Sequence, residues 1–297
     1  MSREGGSLKK GTFTFNAITG RIEPEGGGWS LFGSRMFSKT LAIAILSGAA
    51  FTSAQAAFIY GLSTGTDSGI YQIDVNTGSS TRLYTIGHAG AVNNGTTNGL
   101  AFDASTGNFY YNGSDGQLYR RNASGETLVG KLGKTAASGT FYNGDYYYVA
   151  NSGKVIRKVN VGTFSDTVYG TPVGLKDSGY GDIASRSNGE FYGASEKGFY
   201  SASLSSITSP VSYKATNTNN LQLGFYGDST LYGIESNTDK IYSLNKETGA
   251  KTYLSTLTNG SRMFIADAAS AQAVPEPASL IALGLGAAAV IRRRRKA

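Results

Sequence analysis

Between residues 58 and 266 the chain repeats a short pattern of apolar and polar positions. Five segments read alike: Gly99-Leu100-Ala101-Phe102, Gly139-Thr140-Phe141-Tyr142, Gly181-Asp182-Ile183-Ala184, Leu223-Gly224-Phe225-Tyr226 and Arg262-Met263-Phe264-Ile265. Their first residues lie 40, 42, 42 and 39 positions apart. After each of the first four comes a turn and an aromatic run: Phe109-Tyr110-Tyr111, Tyr146-Tyr147-Tyr148, Phe191-Tyr192-Gly193 and Leu231-Tyr232-Gly233. A third run follows at Gln117-Leu118-Tyr119, Lys154-Val155-Ile156, Gly198-Phe199-Tyr200 and Lys240-Ile241-Tyr242, then a weaker fourth near Glu126, Asp166, Pro210 and Lys251. These runs are short, aromatic or β-branched, and bounded by Gly, Asn, Asp and Ser, which predicts strands.

Four short strands per unit of about 40 residues is the signature of a propeller blade. The fifth segment has no strands after it; the missing ones stand at the other end, at Phe58-Ile59-Tyr60-Gly61, Gly69-Ile70-Tyr71-Gln72 and Ser80 to Tyr84. The expected fold is therefore all-β: a five-bladed β-propeller over residues 57–268, whose first blade is completed from its inner side by a C-terminal strand, Arg262 to Ala266. Closing the ring removes the exposed edges of an open array. A sandwich or a solenoid is the competing architecture, and the matching half-blades at the two ends favour the ring. Turn chemistry agrees, because Gly107, Gly189 and Gly249 each end a polar hairpin loop at the left-handed position. Ile70 to Gly78, echoed at Ile241 to Asn245, resembles the strand-turn unit common to many propeller families, which marks architecture and not activity.

Both ends carry addresses. Residues 1–35 are Gly-rich and without hydrophobic period; they read as an extension, with translation starting at Met36, or as an unusually long n-region. Residues 36–56 read as a secretory signal peptide: Arg35 and Lys39 are the positive n-region, Thr40 to Ala50 the apolar core, and Ala54-Gln55-Ala56 the small-x-small cleavage site. The mature chain then begins at Ala57. After a linker at 269–273, residues 274–297 hold Val274-Pro275-Glu276-Pro277, an apolar run from Ile281 to Ile291, and Arg292, Arg293, Arg294, Arg295 and Lys296.

This tail closely resembles the PEP-CTERM signal of Gram-negative bacteria, known also as the ice-binding protein C-terminal domain. The resemblance implies a short transmembrane helix between a Pro-Glu-Pro signal and a cytoplasmic basic cluster, recognised and cut near Pro275 by an exosortase. It implies as partners the exosortase and the secretion machinery, membrane contact that is at least transient, and delivery to the envelope or extracellular matrix. An ordinary anchor is the alternative reading. Length argues against it: Ala278 to Ile291 makes about 21 Å of helix against a hydrocarbon core of about 30 Å.

Charge supports a targeting role for the ends. The whole chain has a formal net charge of +7, yet residues 57–273 hold 16 Lys/Arg and 16 Asp/Glu. A neutral body removes the main warrant for nucleic-acid binding. The chain contains no cysteine, which excludes disulfides, thiolate catalysis and Cys-based zinc sites.

Candidate chemistry is sparse. His88 is the one histidine and cannot by itself supply a multi-histidine metal site. Turns at Asn112 to Gly116 and Thr66 to Gly69 lack the ligand spacing of a calcium loop, so no metal or cofactor is expected. Five-bladed propellers include glycosidases with carboxylates around a central funnel. Of the Asp residues near inner strands, Asp103, Asp228 and Asp267 follow their strands and read as turn residues. Asp182 precedes an apolar pair and is the better candidate to face the channel, with Asp228 a weaker second. The 19 tyrosines stand mostly on strands, where they are expected to pack between blades, a minority facing outward to stack on sugar or on another envelope protein. Two functions are carried forward: a non-catalytic binding or structural module, engaging exopolysaccharide or an envelope protein, and a glycan hydrolase.

Overall fold

The computed structural model describes residues 56–89, 97–150, 154–176, 181–215, 218, 220–260 and 262–271. Over them the chain forms five four-stranded antiparallel sheets. The strands are β1 (Phe58–Ser63), β2 (Gly69–Asp74) and β3 (Ser80–Tyr84); β4 (Asn98–Asp103), β5 (Asn108–Asn112), β6 (Gln117–Asn122) and β7 (Gly125–Lys131); and β8 (Ala136–Tyr142), β9 (Asp145–Ala150), β10 (Ile156–Asn160) and β11 (Ser165–Gly170). They continue with β12 (Gly181–Ser185), β13 (Glu190–Ser195), β14 (Gly198–Ser203) and β15 (Ser212–Ala215); β16 (Leu221–Tyr226), β17 (Thr230–Glu235), β18 (Lys240–Leu244) and β19 (Lys251–Thr256); and finally β20 (Ile265–Ala269). Four blades use consecutive strands, and the fifth has the order β20-β1-β2-β3. The first strand of each blade touches that of the next, β4 to β8, β8 to β12, β12 to β16, β16 to β20 and β20 to β4. The protein is a five-bladed β-propeller closed by its C-terminal strand.

Burial explains the uneven strand patterns. Second strands are covered on both faces by neighbouring blades, so β5 and β9 are buried at every position and carry unbroken aromatic runs rather than alternation. Outer strands such as β7 and β11 are largely exposed and read weakly in sequence. Tyrosine does most of the filling. Tyr111, Tyr146, Tyr148 and Tyr192 are among the largest fully buried side chains, and Tyr146 stacks on Tyr148 at 5.9 Å.

Turn geometry follows the sequence closely. Gly107, Gly189 and Gly249 take φ of 71°, 85° and 71°. Asp74, Asn160 and Asn245 each accept two backbone N–H groups from the turns they open. In every blade the third and fourth strands slip register at one equivalent place, for example between Ile156 and Arg157.

The closing strand differs from expectation. It spans Ile265–Ala269, not Arg262 to Ala266, and pairs Gly61 with Ala268 and Leu62 with Asp267. The apolar pattern misled because Met263 is buried in a neighbouring apolar cluster while Phe264 is 46% exposed. Strand pairing continues past the expected linker start at 269: Ala271 donates to the Phe225 carbonyl at 2.6 Å and accepts from Gly227 at 2.8 Å. Among the described residues no helix is long and apolar enough to cross a membrane. The expected extension, the signal peptide apart from Ala56, and the tail from Val274 to Arg295 and beyond lie outside the described residues.

Candidate functional site

Inner-strand register brings five polar residues to one layer. Asn98, Ser138, Asp182, Gln222 and Asp267 stand opposite Asn112, Val149, Ala194, Ile234 and Leu62, the equivalent positions of the five second strands. Ser138, Asp182, Gln222 and Asp267 are all buried. The layer forms the hub of the ring.

Asp182 and Asp267 meet there. β12 and β20 are separated in the ring by β16, yet they touch across the axis. Asp182 is 1% exposed and Asp267 is fully buried. The Ala268 amide donates to both carboxyls, which brings them within hydrogen-bond reach of each other. Asp182 also accepts the amides of Ile183 at 2.6 Å, Leu223 at 2.8 Å and Ala268 at 3.2 Å. Asp267 accepts those of Leu100 at 2.8 Å and Ala268 at 2.9 Å. Every oxygen of the pair thus faces backbone donors from blades other than its own or from its own next residue.

Two ionised carboxylates cannot hydrogen-bond to each other, because each only accepts. One proton must be retained. Asp182, with three N–H donors, is the better anion, so Asp267 carries the proton and donates it. Burial is the main cause pushing Asp182 up, to about 7, with the hydrogen bonds from Asp267 and the three amides opposing it. Burial, then the charge of Asp182, push Asp267 well above the usual carboxylate range. Among the described residues neither makes an ion pair.

The sequence suggested Asp182 as the carboxylate to face a channel and Asp267 as a turn residue; in the structure Asp182 is buried in the hub and Asp267 lies beside it. That reading is corrected: the true register of β20 turns Asp267 inward. The missed signal was the polar residue recurring in every inner strand, hidden because three of the five strands (β4, β8 and β16) begin before the segments that look alike and β20 begins after its own. Asp228 is not brought to Asp182. It lies in the β16–β17 turn and bonds Ser187 of the neighbouring blade, accepting the Ser187 amide at 3.0 Å and the Ser187 hydroxyl. Asp103 accepts Ser105 and Thr106 within its own turn.

Two glycines let the inner strands close. A Cβ on Gly139 would stand 2.5 Å from the Gly99 carbonyl oxygen, and one on Gly224 would stand 2.8 Å from the Ala269 carbonyl oxygen. At the C-terminal ends of the inner strands a cavity of ≈ 20 Å³ is lined by Phe102, Thr140, Phe141, Ser185 and Ser270. A water needs about 10–15 Å³ on this measure, so the cavity takes a water molecule and no sugar ring.

His88 forms a second polar cluster, outside the ring centre. It stacks on Tyr119 at 4.0 Å and lies 3.8 Å from Asp115 and 3.6 Å from Glu126. Glu126 already accepts the Tyr111 hydroxyl at 2.6 Å, and Asp115 that of Tyr119 at 2.7 Å. Among the described residues no three His, Cys, Asp or Glu side chains are grouped to hold a metal ion.

Residues 273–296 match the model of the PEP-CTERM protein-sorting motif. The chain carries a PEP-CTERM sorting motif. The motif implies exosortase-dependent export and processing, and sorting to the envelope or outside the cell. It begins two residues after Ala271, the last described residue of the propeller. No curated protein matches the chain. Among solved structures, it is similar to a structural-genomics protein of unknown function from Bacteroides thetaiotaomicron, with 15% identity and a TM-score of 0.45 over 68% of this chain. The matched region spans 58% of that protein's length.

Proposed function

We propose that this exported propeller acts as a non-catalytic binding or structural module, in the cell envelope or in an exopolysaccharide matrix. The observation that carries the reading is the filled hub. Among the described residues the carboxyl pair suited to acid–base chemistry, Asp182 with Asp267, is buried, and its oxygens are engaged by backbone amides. A hydrolase needs such groups within reach of a glycosidic oxygen. In this reading residues 36–56 are removed ahead of Ala57, the PEP-CTERM segment holds the protein briefly at the membrane, and the exosortase releases it.

Contacts with polysaccharide or with another envelope protein would then be made by outer faces. Exposed apolar side chains on the outer strands suit that role: Leu128, Val168 and Tyr253 occupy equivalent rim positions and are 51%, 63% and 56% exposed. The test is co-sedimentation of the mature protein with exopolysaccharide from the producing cells, alongside glycan-cleavage assays of the wild type, Asp182→Asn and Asp228→Asn. Binding without cleavage is expected. Cleavage that Asp182→Asn abolishes while the fold persists would establish the hydrolase instead.

A further inference from the structure

β20 is the last of the described strands to leave the ribosome and the one that closes the ring. It carries Asp267, which reaches out of its own blade on both sides: to the Leu100 amide on β4 and to the Asp182 carboxyl on β12. Asp182 answers by accepting the amide of Ala268, again on β20. In the hub layer β20 is held through this carboxyl pair; beyond it Ile265 accepts the Ser236 hydroxyl at 2.7 Å, Ser270 accepts the Phe225 amide at 3.1 Å, and Ala271 pairs with Phe225 and Gly227.

The pair works only with a proton between its members. Without it, two acceptors would face each other inside a dry hub. The groups that face the pair offer no rescue. From β9 comes Tyr146, whose hydroxyl donates to the Gly99 carbonyl at 2.7 Å, and from β14 comes Tyr200; both phenols are raised by burial and stay neutral. Asn98 on β4, Ser138 on β8 and Gln222 on β16 complete the layer and do not ionise. Among the described residues no Lys, Arg or His acts on either carboxyl.

We propose that Asp182 and Asp267 form a proton-operated latch: β20 seats in the ring with one proton held between the two carboxyls, and losing that proton releases β20 while the other blades stay folded. Blades 2 to 5 are each built from consecutive strands, so they do not depend on β20 for their internal pairing. Blade 1 alone joins the two ends of the mature chain, and releasing β20 also frees Ala271, two residues ahead of the sorting motif. An alkaline surrounding would loosen this end, and a mildly acidic one would keep it seated.

The cysteine-free chain allows a direct test in the full-length protein. A single cysteine is introduced at Ala269, which is 4% exposed on β20, or at Ala202, buried on β14 as a control. Thiol labelling is followed from pH 5 to pH 9, each rate divided by that of the unfolded chain at the same pH. Ala269→Cys is expected to gain reactivity with pH, by about tenfold per pH unit once the pair titrates, while Ala202→Cys stays level. Adding Asp267→Asn, which supplies a permanent N–H donor to Asp182, should remove the rise; Asp182→Asn should do the same from the other side. Equal pH profiles at Ala269→Cys and Ala202→Cys would overturn the latch, as would a rise that survives both Asn substitutions. Should a substituted chain not fold, the two single-cysteine proteins decide alone.

Discussion

The Asp267 carboxyl accepts the Leu100 amide at 2.8 Å across 167 residues of chain. This bond joins the strand that closes the ring to the inner strand of the second blade. It ties the C-terminal end of the propeller to the start of its continuous four-blade run, and it makes the hub a test of whether the ring has closed.

Asp267→Ala should destabilise the propeller by about 2–5 kcal/mol, because it leaves the Leu100 and Ala268 amides without acceptors in a buried site. Asp267→Asn keeps an acceptor and should cost less than half as much. Urea midpoints at pH 6 for the two variants measure the difference; equal losses would mean that the hydrogen bonds to Leu100 and Ala268 contribute little.

Stability should fall as pH rises from about 4 to beyond 7. The sign follows from the proton: carboxyls near 3.9 in the unfolded chain are raised in the fold, Asp182 to about 7, so the folded state binds more protons over that range. The stabilisation is complete below about pH 4 and is lost through the folded value, at about 1.4 kcal/mol per pH unit for one proton. Denaturant melts between pH 4 and 8.5 should show this slope, and the Asp182→Asn, Asp267→Asn double variant should be flat.

Gly139→Ala should cost about 1–3 kcal/mol by forcing β8 away from the Gly99 carbonyl. Tyr146→Phe, which only removes the hydroxyl bonded to that same carbonyl, should cost about 1 kcal/mol. Thermal unfolding distinguishes them, and the ranking reverses if the strands can separate freely.

Asp166→Ala should cost about 3–5 kcal/mol, since its side chain, 6% exposed, holds Arg157 at 2.9 Å, Tyr148 at 2.8 Å and the Gly133 amide at 2.6 Å. Asp228→Ala, on a surface turn, should cost about 0–1 kcal/mol. A comparable loss at Asp228 would show that the Ser187 contact between blades matters more than its exposure suggests.

Replacing Pro275 and Pro277 by alanine should leave the tail uncut in cells, with the protein retained in the membrane fraction at its unprocessed mass. Mass spectrometry of the secreted and membrane fractions reads this directly.

The blade count, the closure and the sorting address were legible in the sequence. They rest on local chemistry: short aromatic or β-branched strands repeated about every 40 residues, left-handed glycines at turns, and the succession of Pro-Glu-Pro, an apolar run and arginines. Each is set by neighbours a few residues away. The hub was not legible. Which face of β20 turns inward depends on pairing with β1, and a strand displaced by one residue exchanges its two faces. Met263 and Phe264 imitated an inner strand, so Asp267 read as a turn residue. That Asp182 and Asp267 lie within hydrogen-bond reach, and so share a proton, follows only from closing five blades around one axis. Sequence determined the repeating elements and the destination of the chain; tertiary packing decided which carboxyls lost their water, because burial at the axis is a property of the closed ring.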